Sequence, residues 1–476
     1  MKRILVRSPK DPFHVIPPEQ ALALYPKGVF GRNVGNMVFT EAMHRLLTVP
    51  DADVVSDSFL GERLPDPRDH AARISEEFDQ VVIPLANAFR HSYHRNLTQM
   101  TNLIEGLTIP VVVAGVGVAG GVGSLERPFP DNPPETVATI KRFLRAVLDR
   151  SATIGVRGET TREYLASLGF GDEHVEVVGC PSLFRRGPDL QVRKRVDRLT
   201  PDSHFTMNLS PYVPLMDEVS IRHAEKYPHM VYVPQGHDSL EMLLWGVDRN
   251  PAKRPDLPAH PYHPLYRANR MRFFVDPATW TAFLAEQEFS FGTRIHGNIA
   301  AVNARTPAHV IAHDARTLEL ARYHEIPHTL VPDLPDRVDA ADLFERTDYT
   351  AFNAGHVGRW EVFARFLERN DVDHVYQPGK ANPAYDERMA ATPFPAGVET
   401  LYSDSDAARE ELVRRVGELY RASGERTIAR LHKPVFPFEP APAAEPAAVV
   451  RSTRLRRLAK RSPRLARVAR RLTGRA

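Results

Sequence analysis

The stretch from Glu288 to Pro307, EFSFGTRIHGNIAAVNARTP, sets the frame for reading the whole chain. Phe289 and Phe291 stand two apart, the spacing of one face of a strand. Gly292 and Gly297 allow tight backbone turns around Arg294 and His296. From Asn298 to Ala304 the residues are small and mostly apolar, which predicts a helix. The segment therefore reads as strand, turn and helix, with an arginine and a histidine at the junction. The first amides of such a helix lack internal partners and carry partial positive charge, so an anion is favoured there. Taken alone, four residues of the form R-x-H-G suit a structural salt bridge equally well.

After Pro307 a second apolar run, His309 to Ala312, leads into His313-Asp314-Ala315-Arg316-Thr317-Leu318-Glu319-Leu320. The joint order is strand, anion-type turn, helix, strand, polar turn, helix. It resembles the C-terminal signature of the polysaccharide pyruvyl transferase family. Members of that family carry R-x-H-G, a small-residue helix, a proline, a strand and an Asp-containing turn. The resemblance implies two α/β domains facing a cleft in a GT-B-like arrangement. It also implies phosphoenolpyruvate as donor, its phosphate and carboxylate held by arginines and a histidine.

Composition suits an enzyme of this kind. The chain has 476 residues, 42% hydrophobic and 25% charged, ordinary values for a globular protein of two core domains plus extensions. It lacks an apolar run of the roughly eighteen residues needed to span a bilayer. The opening MKRILVRSPKDPF reads as a first strand rather than a signal peptide. The single cysteine, Cys180, suits a reducing cytosol and ends an apolar run, where a packed small residue is expected rather than a nucleophile. The formal charge of +3 is unevenly spread, because residues 451–476 hold eleven Lys or Arg and no acid, leaving about −8 for the rest. Specific nucleic-acid binding by the core is therefore not expected.

The first half alternates strands and helices, the order of a doubly wound domain over residues 1–184. Strands are expected at Arg3–Val6, Val81–Leu85, Pro110–Val118, Ala152–Val156 and Val175–Val178. Helices are expected at Asn36–Leu47, Glu135–Arg150 and from Thr160, where Thr160-Thr-Arg-Glu163 reads as a capping box. A polar connector, 185–203, leads to a second α/β domain over 204–375. Its strands are expected at Phe205–Leu209, Met230–Pro234, Met271–Val275, Phe289–Gly292, His309–Ala312 and His328–Val331. Tyr349–Glu368 reads as a helix that packs back on the first domain. Residues 376–430 read as an irregular connector over Pro378–Pro395 and an amphipathic helix over Ser403–Ser423. A Pro/Ala-rich linker, 431–450, precedes the basic tail 451–476.

Ligands of doubly wound domains sit beyond the carboxyl ends of the strands, and three groups of candidates fall there. The loop Phe30-Gly-Arg-Asn33-Val-Gly35-Asn36 resembles the family's N-x-G-D opening, with Asn36 where Asp is common; a glycine-assisted helix start is the plain alternative. Arg157 ends a strand as in the family's V-R-D or V-R-G. A guanidinium grips carboxylate or phosphate bidentately, although a salt bridge to Glu159 or Glu163 would also explain it. Arg294 and His296 form the third group, with Gly297 and Asn298 beside them at the helix start. Asn87, Gln235 and His237 are further cleft candidates, and Arg90 reads as a surface arginine. Asp314, Arg316 and Glu319 read as a turn and helix start. The glycines at 115, 117, 120 and 121 read as a close-packed strand end beside the cleft. His91 and His94 lack neighbouring ligands, so no metal site is expected, and no cofactor is required.

The resemblance implies transfer of the enolpyruvyl skeleton to a sugar of a polysaccharide or its lipid-linked precursor, as a pyruvate ketal. His296 is then the candidate general acid, since imidazole ordinarily titrates near neutrality. Two alternatives stay open: a GT-B glycosyltransferase using a nucleotide sugar, with Glu319 the nearest carboxylate for a ribose, and a non-catalytic scaffold. The tail places Leu465, Val468 and Leu472 on one helical strip among arginines, which predicts a cytoplasmic enzyme held peripherally at the inner membrane face. A disordered basic tail binding acidic partners is the alternative.

Overall fold

The computed structural model describes residues 1–402 apart from 25–26, 65, 119, 121–124, 126 and 249–253, together with 410, 413–415 and 417. All of these fall within one compact unit, Met1–Pro434. The expected helix at Ser403–Ser423 falls almost entirely outside the described residues, and the linker 431–450 and tail 451–476 wholly so.

The first half contains eight strands: β1 (Lys2–Val6), β2 (Ala52–Ser56), β3 (Gln80–Pro84), β4 (Asn87–Phe89), β5 (Val111–Ala114), β6 (Gly117–Val118), β7 (Ile154–Val156) and β8 (Val175–Val177). A parallel sheet runs in the order β2-β1-β3-β5, and two parallel pairs, β4-β6 and β7-β8, adjoin it. A bridge between Val116 and Val156 carries the sheet hydrogen bonding across to β7. β3 is buried at every residue, as expected for a strand covered on both faces. The second half holds β9 (Phe205–Asn208), β10 (Val231–Tyr232), β11 (Phe289–Gly292), β12 (Ala308–Ala312) and β13 (His328–Leu330), all parallel, in the order β10-β9-β11-β12-β13. Chain order reverses between β1 and β3 in one sheet and between β9 and β11 in the other. Such reversals open the crevices where α/β sheets bind ligands.

One helix ties the halves together. Gly35–Leu47 places Met37, Val38 and Phe39 in the same apolar core as the second sheet. Its later residues Met43, Leu46 and Leu47 pack with Ile4, Val6 and Val82 of the first sheet. Helix Thr350–Arg369 returns to that first core through Trp360, Phe363, Phe366 and Leu367, as expected from its sequence. Each buried aromatic of this kind contributes about 1.5–3 kcal/mol of transfer free energy.

Four expectations are corrected. The run Pro110–Val118 is two strands, because Gly115 turns the chain at φ +72 and β6 pairs with β4 instead. Met271–Val275 makes only isolated bridges, Tyr232 with Met271 and Phe273 with Val398. Pro378–Pro395 contains a helix, Pro383–Ala391, which starts on a proline whose fixed φ suits a first turn. The helix after Arg157 starts at Glu159, with no side-chain cap from its own Gly158 or Thr160.

Candidate functional site

The site is built around the chain reversal between β9 and β11. Gly292, the last residue of β11, has φ +143, and a Cβ on it would stand 1.7 Å from the carbonyl oxygen of Asn208 at the end of β9. Only glycine permits that approach. It lets Asn208 accept from the amide of Arg294 (2.8 Å) and donate to Asn298 (3.1 Å). Asn298 in turn donates to the carbonyls of Gly292 (3.0 Å) and Arg294 (3.2 Å). The fully buried Asn298 side chain is thus spent on shaping the turn, and a donor would meet the turn it holds rather than its amide. Helix Ile295–Asn303 follows, and its first amides point out beyond the strand ends.

Arg294 donates through Nε to the carbonyl of Leu209 (3.1 Å), which aims the guanidinium rather than neutralising it. Arg157 reaches the same region from β7 of the other half. It is 1% exposed, and its Nε and Nη2 donate to the carbonyl of Gly115 (3.3 and 3.1 Å) while Nη1 donates to Asn87. Its expected alternative partner, Glu159, pairs with Arg162 instead (2.7 Å). Burial works against the charged form of both Arg157 and Arg294.

His296 lies between these arginines and the first half. A Cβ on Gly35 would stand 2.9 Å from His296 Cβ and 3.3 Å from Gln235 Oε1, so the Gly35 helix start seals directly on the histidine. Nε2 of His296 is 3.8 Å from Cys180 Sγ, and the ring stacks at an angle on Phe39, centroids 5.6 Å apart. Burial, then the charges of Arg157 and Arg316, push the imidazole down to about 3. This corrects the sequence expectation of a group titrating near neutrality: burial and the neighbouring arginines favour the neutral ring. Cys180 is buried as expected, with its thiol pushed up by burial.

Three other candidates meet here. Gln235 is 3% exposed, and its Nε2 has no hydrogen-bond partner although a Cβ on Gly297 would stand 2.4 Å from it. Asn33 bridges to Gly236 and accepts from the amide of Gly35 (2.8 Å). His237 donates its amide to the Arg32 carbonyl (3.0 Å), pinning the two loops together. Asn36 turns away, its amide donating to the carbonyl of Phe30 (3.1 Å). Asn87 serves as an acceptor for Arg157.

Arg316, expected from sequence to belong to a turn and helix start, joins the cluster as well. It follows β12 much as Arg294 follows β11, and that parallel position was the available signal. Its Nη2 donates to the Tyr212 hydroxyl (3.0 Å) and lies 3.1 Å from Asp314. Burial would raise the Tyr212 phenol, but Arg316 and Arg294 pull it below its ordinary value. Arg90 is half-buried, with Nε unpartnered, and its charged form is opposed by burial and by Arg316. Asp314 caps the helix Ala315–His324 through the amide of Thr317, as expected of a helix start. Glu319 does not follow the same expectation: it crosses to the first half and accepts from the amide of Thr161 (2.6 Å). Among the described residues no three His, Cys, Asp or Glu are placed to hold a metal ion, and no helix is long and apolar enough to cross a membrane.

This arrangement presents clustered guanidiniums, helix amides and one imidazole to a small polyanion, with an unpartnered amide donor beside them. The profile of the polysaccharide pyruvyl transferase family matches residues 33–315, from the Asn33 loop through the Asp314 turn. No curated protein sequence matches the chain. Among solved structures, an uncharacterised Klebsiella pneumoniae protein is similar at 13% identity and TM-score 0.36, over 69% of this chain and 92% of its own. The UDP-GlcNAc 2-epimerase of Methanocaldococcus jannaschii is similar at 12% identity and TM-score 0.39, over 77% and 99%. The calicheamicin glycosyltransferase CalG4 is similar at 12% and 0.33, over 83% and 99%.

Proposed function

The chain belongs to the polysaccharide pyruvyl transferase family, and on that premise we propose that it moves the three-carbon skeleton of phosphoenolpyruvate onto two hydroxyls of a sugar. The product is a pyruvate ketal on a polysaccharide or its lipid-linked precursor, and phosphate leaves. The observation that carries this reading is the convergence of Arg157 from one half with Arg294 and Arg316 from the other, around His296. Phosphoenolpyruvate brings a phosphate and a carboxylate, which planar guanidiniums and helix amides recognise well.

A proton delivered to the methylene carbon makes a methyl group and leaves C2 electron-poor. One sugar hydroxyl adds to C2, phosphate departs with its bridging oxygen, and the second hydroxyl closes the ketal. Of the two hydroxyl protons, one replaces the proton spent on the methyl group and the other leaves with phosphate. His296 supplies the first proton. Burial holds its ring neutral, and the donor's negative charge, by offsetting Arg157 and Arg316, raises the imidazole pKa and favours the charged form. Arg157, Arg294 and Arg316 hold the anion and stabilise the leaving phosphate, with Gly297 and its neighbours offering helix amides. Gln235, with Asn33 and Gly35 packed beside it, is assigned to the acceptor. The tail 451–476 holds the enzyme to an anionic membrane surface on the cytoplasmic side.

Glu319, the carboxylate that a nucleotide-sugar reading would assign to a ribose, is bound to Thr161 and counts against that reading. The discriminating experiment offers phosphoenolpyruvate and sugar nucleotides separately with a panel of glycans. Phosphate release is expected from the first, and nucleotide release from the second would overturn the proposal.

A further inference from the structure

Glu319 lies on helix Ala315–His324 of the second half, 6% exposed, and among the described residues it forms no ion pair. A buried carboxylate is costly unless nearby charge and hydrogen bonds replace its water, and the charge of Arg157 favours the ionised form of Glu319. Here both oxygens are used: Oε1 accepts from the amide of Thr161 (2.6 Å) and Oε2 from its hydroxyl (3.1 Å). Thr161 is the third residue of helix Glu159–Ser167, so Glu319 caps from outside a helix that lacks a cap of its own. The fit depends on Gly158, since a Cβ there would stand 2.4 Å from Glu319 Cγ.

The contact continues toward the donor site. The Thr161 hydroxyl accepts from the amide of Val118 (3.1 Å). Val118 follows Gly117, against which the Arg157 side chain lies. Helix Glu159–Ser167 itself starts two residues after Arg157. Glu319 is thereby bonded to the helix that follows Arg157 and tied, through the Thr161 hydroxyl, to Val118 of β6 beside Gly117. We infer that Glu319 is a positioning residue: docked on Thr161, it fixes Arg157 of the first half in register with Arg294 and His296 of the second. The inference rests on the anion-site reading above, and it explains why a buried carboxylate occupies an interface that an apolar residue would fill at less cost.

The test is a double-mutant cycle read by calorimetric titration. Wild type, Glu319→Gln, Arg157→Ala and the double variant are titrated with phosphoenolpyruvate and, separately, with inorganic phosphate. Coupled neighbours interact measurably in such a cycle, and Glu319→Gln is expected to weaken binding on the order of tenfold in the wild-type background. It should have almost no further effect once Arg157 is gone. Thr161→Val, which keeps the amide but removes the hydroxyl, should act in the same direction and more weakly. Equal weakening with and without Arg157, or unchanged affinity in both Glu319→Gln and Thr161→Val, would overturn the positioning role. Failure of phosphoenolpyruvate to bind wild type would instead sink the donor reading, and the phosphate titrations still read the coupling. Equal phosphate affinity across all the proteins, or binding by none, overturns the inference.

Discussion

The guanidinium arm of Arg157 occupies the space that a side chain at residue 117 would fill: a Cβ on Gly117 would stand 2.2 Å from both Cδ and Nε of the arginine. The clash is with the middle of the arm, so the arginine would have to leave its bonds to Gly115 and Asn87. Gly117→Ala is therefore expected to lower donor affinity about as much as Arg157→Ala, while circular dichroism stays native. Wild-type affinity in Gly117→Ala would show that Arg157 does not need this placement.

Removing a charged hydrogen-bonding partner from a buried anion costs about 2–5 kcal/mol. Arg157→Ala, Arg294→Ala and Arg316→Ala should each weaken phosphoenolpyruvate binding by that order, and lysine at 157 or 294 should restore only part of it. Unchanged donor affinity in all three alanine variants would place the donor elsewhere.

His296→Ala should cut turnover by about 100- to 10,000-fold, the usual range for losing a general acid, with thermal melting intact. Because burial, Arg157 and Arg316 hold the imidazole down to about 3, a bound trianion is expected to favour proton uptake onto it. Calorimetry at pH 7 in buffers of different ionisation enthalpy should show proton uptake in the wild type and less of it in His296→Ala. Equal uptake in both proteins would remove His296 from the acid role.

Acid should destabilise the fold early. Burial holds His44, His223 and His263 near 4, and His296 and His309 near 3. Below about pH 6.5 the unfolded chain binds protons at these five positions and the native chain does not. Asp57, raised to about 7, and Glu319, raised to about 6, act in the opposite sense, binding protons first in the native state. The balance of these groups, five histidines against two carboxyls, favours unfolding as pH falls from 6.5 toward 4.5. The melting temperature should drop over that window. A higher melting temperature at pH 5 than at pH 7.5 would contradict these burial effects.

The tail 451–476 should carry the full chain onto anionic vesicles at low salt, and a chain ending at Val450 should stay in the supernatant. Each basic residue near an anionic surface contributes about 1 kcal/mol. Both chains remaining soluble with anionic vesicles would end the membrane proposal.

Local pattern made some elements readable in advance and left others hidden. The strand Phe289–Gly292 and the helix Thr350–Arg369 follow from side-chain periodicity that neighbours along the chain supply. The break at Gly115 was not readable, because its carbonyl serves Arg157, forty-two residues away. The cap at Thr161 comes from Glu319 across 158 residues, so Thr160-Thr-Arg-Glu163 misled as a local box. His296 was found as a residue but not as a neutral ring, since its state depends on arginines brought from both halves. Arg316 reads in sequence as an ordinary residue of a polar turn, because its place near Arg294 depends on β11 and β12 lying side by side.

The most direct test of the donor and its chemistry follows the carbon. Phosphoenolpyruvate labelled at C2 is incubated with the full-length enzyme and a panel of free and lipid-linked glycans, and the glycans are read by NMR and mass spectrometry. The account predicts label in an acceptor glycan as a ketal carbon bonded to two sugar oxygens, with one phosphate released for each ketal formed. Phosphate release without label in any glycan, or glycan modification that requires a sugar nucleotide and proceeds without phosphoenolpyruvate, would contradict it.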